Sequence, residues 1–209
     1  MIVIYDLRNE HLILATENYH VFNPFESNHD DNDFPHGDID PDSNFYNDIA
    51  HQLQVNSNYY LENSLNKYLS KHNVSFESFS VAHLNIRSIP AHLTEFQAYM
   101  ENIEHKFSVY GFTETWLTES NQSCYGLPGY NHVNVVRKER SGGGASLFIS
   151  DVLEYNKIDE LTDVNAIMET VFVEICLNHT NVIVGVVYRP PDTNLQVFNE
   201  MYNQHLEFI

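Results

Sequence analysis

The sequence predicts a mixed α/β domain behind an acidic N-terminal arm, and three observations carry that prediction. From about residue 76 onward, strand-like and helix-like apolar periods follow one another as strand, helix, strand, a run of strands and a closing helix. Three of those strand segments end in polar residues, Asn85, Glu114 and Tyr188. Residues 26–48 carry Glu26, Asp30, Asp31, Asp33, Asp38, Asp40, Asp42 and Asp48 with no Lys or Arg, a composition that repels itself and buries little.

The division falls near residue 76. Residues 1–75 read as a largely disordered arm, with a short amphipathic helix inside 57–72 where Tyr60, Leu61, Leu65, Tyr68 and Leu69 approach helical spacing. Asp38, Asp40 and Asp42 alternate as in a calcium loop. The sixth position is Ser43 rather than Gly and the twelfth is Ile49 rather than Glu, so the stretch reads as solvated linker.

Residues 76–209 form the domain. "FSVAHLNI" (79–86) alternates and is rich in strand formers. A helix begins near Pro90 and carries Leu93, Phe96, Met100 and Ile103 on one face. "FSVYGFTE" is the next strand, "LPGY" a turn, and "RSGGGASLFIS" (140–150) a glycine-rich turn opening into a strand. "METVFVEICL" (168–177) and "NVIVGVVYRPP" (181–191) are two strands joined closely enough for a hairpin, and 194–209 returns to helical period.

Composition narrows the function. The net charge is −19, with only ten Lys and Arg, which argues against the usual basic nucleic-acid patch. It leaves room for a metal-dependent site, because hard cations bind to carboxylates. Two cysteines without CxxC spacing indicate neither a disulfide framework nor a zinc site, and reduced thiols in an intracellular protein are the expectation. The N-terminus lacks a basic n-region, and no apolar run approaches the ~18–20 residues of a membrane span.

In an open sheet, polar residues at the carboxyl ends of adjacent strands gather on one rim. There Glu114 can ligate a magnesium ion, Asn85 can offer an amide oxygen or NH₂ to the ion or a phosphate, Tyr188 can donate to a phosphate oxygen, and Arg189 can add charge. Taken singly, each has a plain alternative. Asn85 and Glu114 also suit caps of the following turns, Tyr188 suits core, and "RPP" suits a strand stop. The "SGGG" turn lacks the GK[ST] ending of a P-loop.

Five stretches, "HLNIRSI", "GFTETWL", "LPGYN", "RSGGGASLFIS" and "VVYRPP", in this order and spacing, resemble the endonuclease domain of LINE-type (non-LTR) retrotransposons over roughly residues 77–209. That family belongs to the endonuclease/exonuclease/phosphatase superfamily, with apurinic-endonuclease-like nucleases and DNase I. The segment "DIDPDSNFY" resembles the lead into this domain. The resemblance implies a DNase I-like four-layer α/β sandwich and Mg²⁺-dependent nicking of DNA that primes reverse transcription. It makes Glu114 the metal-binding Glu, Asn85 the Asn near metal and phosphate, and Tyr188 the tyrosine beside the scissile phosphate.

The family pattern continues with an Asp-x-Asn motif and an Asp-His pair. Neither can be placed before Ile209, and His205 lies in the last helix, outside that pattern. The expectation is therefore a partial sandwich lacking its C-terminal half and most of its second sheet, catalytically inactive. One sheet face would be uncovered, with Phe172, Val184 and Val186 exposed and self-association through that face. A non-catalytic interaction module, acting through the sheet or the acidic arm, is the alternative.

Overall fold

The computed structural model describes residues 2–6, 11–15, 62–71, 79–138, 142–178 and 180–208. The acidic stretch 26–48 and its alternating aspartates lie outside them. The described residues form two β-sheets and three α-helices.

The first sheet has six strands in the order β2-β1-β3-β4-β6-β5. These are β1 Ile2–Asp6, β2 His11–Ala15, β3 Ser80–Asn85, β4 Val109–Thr113, β5 Tyr130–Val135 and β6 Ala145–Ser150. β3 and β4 run parallel, joined through a crossover helix, and the other pairs are antiparallel. β1 and β2 belong to the stretch read as arm. They form a hairpin that pairs with β3, so the arm contributes two strands to the domain's own sheet.

Two helices cover one face of this sheet. α1, Glu62–Lys71, falls within the predicted 57–72 window and buries Leu65 and Leu69. α2, Ile89–Met100, begins at Ser88, whose hydroxyl accepts the Ala91 N–H, with Pro90 in the first turn where no amide is missed. The helix stops before Ile103, which still packs in the same cluster. Ile89, Leu93 and Phe96 join Tyr110, Phe112 and Phe148 from the sheet, and Phe96 meets Tyr110 and Phe112 edge-on at 5.3 and 4.9 Å.

The second sheet is where the sequence reading needs correction. β7 Glu154–Lys157, β8 Asp163–Val164, β9 Glu169–Cys176 and β10 Asn181–Tyr188 make four strands, with β10 beside β9 and both β7 and β8 on the other side of β9. Val171, Val173, Ile175, Val184 and Val186 pack against Val109, Ala145, Leu147 and Ile149 of the first sheet. Val184 and Val186 are therefore buried, and Phe172, on the opposite face, is buried as well. The expected uncovered surface is absent at these three residues, because the β9–β10 hairpin lays its alternate valines onto the first sheet. α3, Leu195–Phe208, follows β10, and its Met201 Sδ lies 3.6 Å from Asn165 Nδ2 in the loop before β9.

β5 carries no clear strand period in sequence, because its polar residues mask its alternation. Tyr130 donates to the Phe107 carbonyl at 2.7 Å, Asn134 to Gln122 at 2.9 Å, and His132 stacks on Phe148 at 4.1 Å. His132 Nε2 lies 3.1 Å from the buried Ser146 hydroxyl. Burial pulls the His132 imidazole down to about 4, so it is neutral in the fold. The unfolded chain takes up this proton near pH 6.5, so the contribution is intact above that pH and is lost as pH falls toward 4. Native-state stability from this group should drop by about 2 kcal/mol between pH 7 and pH 5. Urea melts at both pH values should show that part of the drop vanish in His132→Phe; an unchanged drop would refute the assignment.

Candidate functional site

The site is built where β3 and β4 end. Their parallel register sets Asn85 beside Thr113, so the next residue of the second strand, Glu114, stands against Asn85 on the same rim. Asn85 Nδ2 donates to Glu114 Oε1 at 3.0 Å. Tyr188, the last residue of β10 in the other sheet, brings its hydroxyl to the same oxygen at 3.2 Å across 74 residues of sequence. The three residues predicted to meet do meet, and they do so through one carboxylate oxygen.

The backbone around Glu114 is clamped from two sides. Ser88 N–H donates to the Glu114 carbonyl and Ile89 N–H to that of Thr115, both at 2.8 Å. On the other side Trp116 N–H donates to the Gly143 carbonyl at 2.8 Å and Thr115 N–H to that of Gly144 at 3.3 Å. Among the described residues, the non-glycine residues with left-handed φ are Arg87, Ser88, Glu114 and Trp116, all on this rim. Such conformations cost of order 1–3 kcal/mol each and persist where the surroundings over-determine them.

Burial, and then the adjacent Glu114 carboxylate, push the Tyr188 hydroxyl up to about 12. Tyr188 is thus a protonated donor at neutral pH. With Oε1 accepting twice, Oε2 of Glu114 and the amide oxygen of Asn85 have no hydrogen-bond partner among the described residues. One carboxylate and one amide oxygen suit a small hard cation that keeps most of its water. No group of three or more His, Cys, Asp or Glu able to hold a metal occurs among the described residues.

A cavity of about 410 Å³ opens beside this rim, lined by Glu114, Tyr188, Trp116, Arg137, Asn194 and Val197 among others. Two of its features escaped the sequence reading. Trp116 is 47 % exposed, with its indole over Gly142. Arg137 is the guanidinium at the cavity wall, whereas Arg189 donates to the Thr193 carbonyl at 3.2 Å and does not line the cavity. The only hint of Arg137 in sequence was its nearness to the glycine turn; its partner, Glu169, lies 32 residues away.

No family model matches the sequence, and no curated protein matches it. Among solved structures, the chain is similar to the endonuclease domain of TRAS1, a telomere-specific non-LTR retrotransposon, with 15 % sequence identity and a TM-score of 0.46. The similarity covers 60 % of this chain and 52 % of that one, so this chain spans about half the length of that domain. No helix among the described residues is long and apolar enough to cross a membrane.

Proposed function

We propose that this chain carries the metal- and phosphate-facing part of a Mg²⁺-dependent DNA endonuclease of the non-LTR retrotransposon kind. The observation that carries the reading is the convergence of Asn85 and Tyr188 on one oxygen of Glu114. It fixes the carboxylate and leaves its second oxygen, and the Asn85 oxygen, without a hydrogen-bond partner among the described residues. A divalent cation held by Glu114 and Asn85 would offset charge developing on a phosphate. Tyr188, kept protonated, would donate to a non-bridging phosphate oxygen when a diester displaces its present acceptor.

None of the three residues that meet at Glu114 is suited to take a proton from an attacking water, and the nearest further carboxylate on the cavity wall is that of Asp192. Tyr188 is a donor, Asn85 is an amide, Glu114 is committed to the ion, and no histidine joins them among the described residues. Residues 1–209 are accordingly proposed to bind the ion and the phosphate without nicking DNA at an appreciable rate, since a missing general base alone costs ~10²–10⁴ in rate.

The test is relaxation of supercoiled plasmid by residues 1–209 with Mg²⁺, beside Glu114→Ala, together with Mg²⁺ binding by calorimetry. The expected result is no nicking above Glu114→Ala, and weak Mg²⁺ binding that disappears in the variant. Nicking by the native sequence alone would overturn the inactivity and keep the metal assignment. Equal Mg²⁺ binding by both proteins would remove Glu114 as a ligand.

A further inference from the structure

Tyr188 and Glu169 are cross-strand partners on one rung of the second sheet. Tyr188 brings its hydroxyl to the Glu114 carboxylate. Glu169, the first residue of β9, accepts the Gly144 N–H of the glycine turn before β6. The Gly144 carbonyl accepts the N–H of Thr115, the residue after Glu114, at 3.3 Å. A single rung of the second sheet therefore holds Glu114 twice. It reaches the carboxylate through Tyr188, and the backbone through Glu169, Gly144 and Thr115.

The second hold has little slack. Glu169 is wholly out of solvent, where a carboxylate is tolerable only when paired and hydrogen-bonded. The Nε–H of Arg137 pairs it, so the two charges cancel behind the rim. Thr115 is wholly buried too, and its Oγ1 lies where a Cβ on Gly144 would stand. Glu114 and Trp116, on either side of Thr115, have left-handed φ of 52 and 54. Non-glycine residues stay in that region only where their surroundings over-determine them. The chain of contacts from Glu169 is what reaches this backbone from the second sheet.

We propose that Glu169 is a positioning residue for Glu114. By accepting from Gly144 it keeps the glycine turn against Thr115, and so keeps the Glu114 carboxylate where Asn85, Tyr188 and a cation can share it. The cation rests on the reading of the rim given under Proposed function. Arg137 offsets the charge of Glu169, so the requirement at position 169 is an acceptor rather than a charge.

The experiment compares residues 1–209 with two double variants. Arg137→Met, Glu169→Gln keeps an acceptor for Gly144, and Arg137→Met, Glu169→Met removes it. Each removes one charge of either sign, so the net charge behind the rim is the same in all three proteins. Mg²⁺ binding is measured by calorimetry at a temperature where circular dichroism shows every protein folded. Hydrogen exchange of the Thr115 and Trp116 amides is followed by NMR without metal. Groups that orient a metal ligand typically carry about 10–100-fold of the affinity. The expected result is near-native binding and exchange in the glutamine variant. The methionine variant should bind Mg²⁺ about tenfold more weakly or worse, with faster exchange at Thr115 and Trp116.

A folded methionine variant with native Mg²⁺ affinity would overturn the proposal. So would a glutamine variant as impaired as the methionine one, because the charge would then be the requirement. If the native chain binds no Mg²⁺, the metal reading of the rim falls, and exchange alone decides the positioning. Faster Thr115 exchange in the methionine variant then upholds it, and equal exchange refutes it. Should the methionine variant not fold, exchange in the native chain decides: the Gly144 and Thr115 amides must be protected together, and a freely exchanging Gly144 amide refutes the hold.

Discussion

Arg137→Met should lower the unfolding free energy by about 3–5 kcal/mol, the largest single loss expected outside the apolar core. The substitution keeps side-chain length and apolar stem, so little packing is lost. It leaves the Glu169 carboxylate buried with only the Gly144 N–H to hold it. The cost is that of the stranded charge rather than the worth of the ion pair. It follows that the double variant Arg137→Met, Glu169→Gln should recover most of the loss, because a neutral amide can still accept from Gly144. Urea unfolding followed by circular dichroism measures all three proteins. A single-variant loss below about 1 kcal/mol, or a double variant no better than the single, would mean that Glu169 finds solvent or another partner.

Gly144→Ala should cost about 3 kcal/mol and lower the melting temperature by about 8 °C. Gly144 has φ +87, and an added Cβ would overlap Thr115 Oγ1 and lie 3.1 Å from the Val135 carbonyl. The left-handed backbone accounts for about 1–2 kcal/mol of the effect and the overlap for the rest. The lesion also reaches the site, because the Gly144 carbonyl accepts from Thr115 and its N–H holds Glu169. The Mg²⁺ binding proposed for Glu114 should therefore weaken in the same variant. Gly126 is the control: it has ordinary φ and open space around it, so Gly126→Ala should melt within about 2 °C of the native chain. If the two variants melt alike, the glycine turn is not what holds the rim.

The sequence determined the elements whose apolar period is local. β3, β4, β9, β10, α2 and α3 could be read from residues such as Val109, Phe112, Val171, Val173, Leu93 and Phe96, because spacing of two or of three to four is a property of a few neighbouring residues. Asn85, Glu114 and Tyr188 were legible for the same reason, as polar residues closing three such runs. The edge strands β5 and β7 were not. β5 mixes Tyr130, His132 and Asn134 with its valines, and each polar group is justified only by a partner elsewhere in the chain.

Tertiary structure decided the partners. Alternation shows that β10 has an apolar face without saying what covers it. That Val184 and Val186 meet Leu147 and Ile149, rather than water, follows from how two sheets stack. The Arg137–Glu169 pair and the Tyr188–Glu114 contact join residues 32 and 74 positions apart. Period and propensity act over a few residues, whereas a buried charge or a shared oxygen is satisfied wherever the fold brings its partner, and only the packed sheets fix that place.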